Sequence, residues 1–192
     1  MGKLMATSLA LLSLSGCVLA PQTIELNENY PITAGTISPQ RDALVRVVDQ
    51  RLQQGKRIGH RGGRLPENSP LLVQQDLSDT LTRRLQGSLA QLGFGGSSPL
   101  QPIKVQLDIN QFDFSCNEGV LVNQCGMEME LQLTVITEAE KFTKPFTVNE
   151  RRRLAASPNA EYNQQWVNEV LDKLWNYMFS DAQLRSVLGV RQ

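Results

Sequence analysis

Hydrophobic residues recur at every second position through residues 103–135 and at every third or fourth in two flanking segments. Ile103, Val105, Leu107 and Ile109 are apolar at odd positions, Phe112, Phe114 and Cys116 at even ones. On the return, Cys125, Met127, Met129, Leu131, Leu133 and Val135 are odd again. Period two marks strands with one buried face. If Cys116 faces Cys125 in an antiparallel hairpin, Phe114 meets Met127 and Phe112 meets Met129. Keeping that register would set Ile109 against Gln132 and mix the two faces. One extra residue near Asn110-Gln111, a β-bulge, restores the pattern. Ile109 then meets Leu131, Leu107 meets Leu133 and Val105 meets Val135.

The helical periods lie on either side. Leu77, Leu81, Leu85, Leu89 and Leu92 form one apolar stripe over residues 74–92, with Asp79 and Arg83 as an i,i+4 pair and Gly93 as the stop. Val167, Val170, Leu171, Leu174 and Met178, widened by Tyr162, Trp166 and Trp175, predict a second helix over 159–179 that begins near Ser157-Pro158. Ser180 with Gln183 resembles a capping box for a short last helix that stops at Leu188-Gly189.

Three more stretches complete the order. Residues 42–50 read as a strand with Val45 and Val47 on one face and Leu44 and Val48 on the other, hence a strand at least partly covered on both sides. Residues 142–154 read as a last strand, placed at an edge or bulge by Pro145. Arg151, Arg152 and Arg153 alternate across it and form no single patch. Residues 52–72 lack periodicity and predict a long connection rich in Gly and Pro. The fold class is therefore α+β: a mostly antiparallel sheet in β-α-β-β-β-α order with helices on one face. If the first strand pairs in parallel with a later one, the helix between them is the crossover.

Between Asp49 and Glu67 the long connection holds Arg51, Lys56, Arg57, His60, Arg61 and Arg64 and no acid. Glycines let a backbone approach an anion, and arginines grip phosphate or carboxylate. Arg57, Arg61 and Arg64 are thus candidate anion contacts for peptidoglycan or lipopolysaccharide, against the plainer reading of a solvated loop. The segment lacks P-loop spacing and has no aromatics interleaved for nucleic acid.

The N-terminus changes where such a domain works. Lys3, an apolar run over 4–14 of about 11 residues and the small pair Ser15-Gly16 form an export signal too short to span a bilayer. Leu14-Ser15-Gly16-Cys17 resembles the bacterial lipoprotein signal, in which the cysteine is cleaved free and acylated. Several acyl chains on Cys17 would make a permanent membrane anchor. Val18, where Asp is associated with inner-membrane retention, points to the outer membrane. The expected organisation is a signal peptide over 1–16, a lipidated N-terminus and tether over 17–40, and one periplasmic domain over 41–192. Thr23 to Leu26 alternates and offers a short edge strand as the alternative to a spacer.

Chemistry is sparse. Of the 192 residues 19 are basic and 19 acidic, so no global charge calls for nucleic acid. With Cys17 spent on lipid, Cys116 and Cys125 remain to pair in an oxidising compartment. The rival, a metal or redox pair, lacks a CxxC and nearby histidines. His60 is the only histidine. Histidine-based catalysis has little material, no cofactor is expected, and the chain reads as a non-enzyme. Carboxylates such as Asp108, Glu128 and Glu130 fit the solvent face of the hairpin and leave a carboxylate-dependent hydrolase as a third reading.

The arrangement resembles the YajG-type family of uncharacterised Gram-negative lipoproteins. The resemblance rests on Leu14 to Cys17, Pro21-Gln22-Thr23-Ile24-Glu25-Leu26, Val45-Arg46-Val47-Val48-Asp49-Gln50-Arg51, a helix ending near Gly93-Phe94, and a β-meander followed by a C-terminal helix. It implies an outer-membrane lipoprotein without an established activity. The leading expectation is an accessory or binding module that contacts another envelope component through the sheet or the 51–64 segment.

Overall fold

The computed structural model describes residues 20–32, 35–37, 40–63, 65–96, 98–119 and 121–191. In chain order it forms β1 (Gln22–Ile24), β2 (Thr36–Ile37), β3 (Ala43–Asp49), β4 (Arg57–His60), β5 (Pro70–Val73), α1 (Leu77–Gln91), β6 (Ile103–Asn117), β7 (Asn123–Ile136), β8 (Lys141–Leu154), α2 (Ala160–Phe179), α3 (Ala182–Leu188) and β9 (Val190–Arg191). A 3-10 turn, Pro66–Asn68, links β4 to β5. The class is α+β, with helices packed against a mixed, mostly antiparallel sheet.

The long hairpin carries the sheet. Cys116 lies opposite Cys125, Phe114 opposite Met127 and Phe112 opposite Met129; the register shifts between Ile109 and Gln111, and Ile109 then faces Leu131. This is the pairing that the apolar pattern predicts, bulge included. β8 adds along the far side of β7, where Pro145 faces Gln132 on the edge strand. On its other side β6 is long enough to take two parallel partners in line: β3 along 103–109 and β4 at Phe114 and Ser115. β5 and β1 extend the sheet beyond β4.

All helices lie on one face. α1 packs over β3, and α2 over β8, β7 and β1. The inward rows of the sheet are buried from Ile103 to Phe146, as are Leu77, Leu81, Leu85 and Leu89 of α1 and Trp166, Val170, Leu174 and Trp175 of α2. Each large apolar side chain so buried contributes about 1.5–3 kcal/mol before entropy is counted. Trp175 Nε1 donates to Ser88 Oγ at 2.8 Å, tying α2 to α1. Fully buried Arg84 donates to Asn27 O and to Asp172 Oδ1, and its guanidinium lies over the rings of Tyr30 and Trp175.

Four expectations need correction. Residues 52–72 are not structureless: β4, the 3-10 turn and the start of β5 occupy them. β3 is covered by a helix on one face only: α1 packs over it, and on the other face Leu44 is 55% exposed. The tether does not extend to residue 40. Gln22–Ile24 pairs in parallel with β5, and Ile24, Leu26, Ile32 and Ile37 are buried in the core. The cap of α3 is Asp181, whose carboxylate accepts from Leu184 N, rather than Ser180; α2 is capped by Asn159. Gly189 closes α3 in the left-handed conformation, as expected.

Candidate functional site

The basic segment is where sequence points first, and there Arg51 and Arg61 turn inward. β3 leaves β6 after Ile109, and β4 joins it at Phe114. The bulge on β6 lies in the gap. Arg51 fills it: Nη1 donates to Arg57 O at 2.8 Å and Phe112 O at 3.3 Å, and Nη2 donates to Gly55 O at 3.1 Å. Asp49 holds the guanidinium through Nε and Nη2 at 2.8 and 2.7 Å, and also accepts from the Arg51 and Gly55 amides. Burial alone would raise the Asp49 carboxyl, but the Arg51 and Gly55 contacts together hold it below its ordinary value.

Arg61, only 8% exposed, donates from Nη1 to Ala20 O at 2.5 Å and from Nη2 to Pro158 O at 3.1 Å. Burial lowers its pKa. Its two terminal nitrogens are committed to carbonyls, so it does not face an incoming anion. The glycines serve backbone approach. A Cβ on Gly59, at φ +139°, would overlap the Phe114 carbonyl, and one on Gly62 would lie 2.6 Å from Cys116 O. Arg57 lines an open groove with His60, Asn110, Gln111, Phe112 and Asp113. Arg64 and Cys17 lie outside the described residues. Cys116 and Cys125 are joined in a disulfide at the end of the hairpin.

What remains available is the sheet face opposite the helices. Rows of side chains cross it from strand to strand: Arg46, Gln106, Thr134 and Thr143; then Val48, Asp108, Gln132 and Pro145; then Asp113, Glu128 and Asn149. Amides, hydroxyls and charges dominate. Gln111 Nε2 and Asn149 Nδ2 donate to the two oxygens of Glu128 at 2.9 and 2.8 Å, and Asn110 Nδ2 donates to Glu130 at 2.9 Å. At one end Leu44 and Ile136, 55% and 41% exposed, flank Lys104 and line a groove of about 500 Å³. These two apolar residues sit in a polar surface with no helix above them.

The other end brings together a pair that the hydrophobic pattern does not single out. Asp113 is directly opposite Glu128. Burial of the surrounding surface pushes the Asp113 carboxyl up and Glu128 reinforces this, while His60, Arg51 and Arg57 oppose it. His60 Nδ1 is buried and makes no hydrogen bond among the described residues. The predicted register already sets Asp113 against Glu128, so the pair was reachable from sequence; the nearness of His60 was not, because it depends on β4. Among the described residues no three His, Cys, Asp or Glu side chains converge as a metal site.

A family model described as "Uncharacterized lipoprotein" matches residues 31–189. No curated protein matches the chain. Among solved structures it is similar to the protein XCC0632 from Xanthomonas campestris, at 16% identity and TM-score 0.45, over 81% of this chain and 99% of that one. It is also similar to a neuraminyllactose-binding hemagglutinin homologue from Helicobacter pylori, so titled as a provisional assignment, at 11% identity and TM-score 0.40, over 85% and 98% of the two chains. A hypothetical protein from Chlamydia trachomatis matches at 12% identity and TM-score 0.38, over 78% of this chain and 96% of that one.

Proposed function

Because the chain belongs to a family of uncharacterised lipoproteins, we propose that it is a non-catalytic binding module of the cell envelope, of YajG type, held on the outer membrane through acyl chains on Cys17. Its uncovered sheet face contacts another envelope component on the periplasmic side. The observation that carries this reading is the asymmetry of the sheet: helices bury one face, while rows of amide, hydroxyl and charged side chains stand open on the other. Such a face offers many hydrogen bonds on a rigid support, and Leu44 and Ile136 add apolar contact at its edge.

A test is chemical crosslinking in intact cells with the wild-type chain and with Gln132→Arg combined with Thr134→Arg. Loss of a discrete crosslinked species in the variant, with unchanged amounts of folded protein at the membrane, supports the open face as the contact. An unchanged crosslink pattern rejects it. A second reading, binding of an acidic envelope polymer such as peptidoglycan or lipopolysaccharide, is favoured by Arg57 in the groove beside His60. It predicts that Arg57→Ala weakens polymer binding and flattens its salt dependence.

A further inference from the structure

Strand register fixes the direction in which the chain leaves the domain toward its anchor. Gln22, Leu71, Gly59, Phe114, Met127 and Glu150 form one row across the sheet. β1 runs parallel to β5, β5 antiparallel to β4, and β4 parallel to β6. Reading backward from Gln22 therefore travels the same way as reading forward from Phe114, toward the tip of the β6–β7 hairpin. Continued at strand spacing from the Gln22 row, Ala20 comes level with Cys116. The Arg61 clamp on Ala20 O and Pro158 O ties the exit point to the domain there. Two residues, Val18 and Leu19, separate Ala20 from Cys17, and the three Cα steps between them reach at most about 10 Å. The hairpin tip rises above Cys116 by a similar amount, about 10 Å at strand spacing.

The tip at that height is apolar and uncovered. Leu121 is 87% exposed and Val122 39%. Leu65, in the turn that follows β4 at the same end, is 50% exposed. Exposed Arg151 and Arg153 lie below the tip on β8, but exposed Glu67, Glu118 and Glu161 share this end, so net charge gives little attraction. Apolar insertion is the chemistry this end offers. We propose that Leu121 and Val122, with Leu65 beside them, seat in the headgroup–acyl boundary of the bilayer that holds the Cys17 lipid. The domain then stands on its disulfide end. The Leu44–Ile136 end, eleven residues along β7 from Cys125 or about 36 Å away, is presented to the periplasm. This rests on the lipid-anchor reading.

The test uses the mature lipidated protein in vesicles of phosphatidylethanolamine and phosphatidylglycerol, with and without brominated acyl chains. The native indoles, Trp166 and Trp175, are fully buried and give a constant background. Leu121→Trp and Leu44→Trp each add one exposed indole at opposite ends. The expected result is that brominated lipid quenches the added Leu121→Trp emission about twofold or more, with a blue shift and little change in 0.5 M salt, and leaves the Leu44→Trp emission unchanged. Equal quenching at both positions, or none at Leu121→Trp in protein that floats with the vesicles, overturns the docking. Protein that does not float with the vesicles overturns the anchor beneath it.

Discussion

The β6–β7 hairpin and the segment 51–73 lie side by side on one sheet, yet they are held by different means. The hairpin is specified by side chains. Each inward position is apolar, and the single change of phase at Asn110-Gln111 is where the ladder bulges. The 51–73 segment is specified by backbone contacts. Gly59 and Gly62 lie against the main chain of Phe114 and Cys116, and Arg51 and Arg61 donate to main-chain carbonyls. A run of arginine and glycine that reads as an open basic loop thus holds a strand that pairs with β6 in line with β3. Arg51 here supplies donors to carbonyls in the gap that β3 and β4 leave along β6.

The sharpest way to break this contrast is to crowd the backbone approach. Gly59→Val places a branched side chain at φ +139° against the Phe114 carbonyl and is expected to cost about 4 kcal/mol or more, read as a collapse of the urea midpoint. Arg51→Ala leaves a buried carboxylate and three carbonyls without their donor and is expected to cost about 3 kcal/mol. The same pair gives a pH signature. Asp49 titrates below its unfolded value, so its contribution is present above about pH 4 and is lost as pH falls through the folded value. Arg51→Ala should remove that part of the acid destabilisation, which urea unfolding at pH 3 and pH 6 measures.

In the hairpin, replacing Cys116 and Cys125 by Ser should cost about 2–3 kcal/mol, because the bridge closes a short loop and acts on the unfolded chain. The ladder should survive, with the amides of 104–109 still protected from exchange. The smallest effect belongs to the open face. Thr134→Arg should change stability by less than about 0.5 kcal/mol, since the side chain meets solvent and only Thr143 Oγ1.

These differences also explain what could be read from sequence. Alternation reports one buried face, so β6, β7, β8 and the helical stripes of α1 and α2 were accessible, as was the helix-free face. The alternation of Thr23 to Leu26 already offered a short edge strand where β1 lies, but β4 and β5 are too brief to show a period, and β4 owes its place to Gly59 rather than to an apolar pattern. Leu44 is misread because an apolar residue in a strand carries no mark of whether a helix covers it. The role of Arg61 was hidden because its acceptors, Ala20 and Pro158, are far from it in sequence. Asp113 and Glu128 were within reach through the register, but the groove that Asp113 shares with His60 needed β4.

The most direct test of the account compares three surfaces in intact cells with a photoreactive residue at Thr134 on the open face, at Lys56 in the basic segment, and at exposed Gln165 on α2. Contact through the open sheet face predicts a discrete crosslinked partner from Thr134 and none from Lys56 or Gln165. A partner captured from Lys56 or Gln165 but not from Thr134 would contradict it.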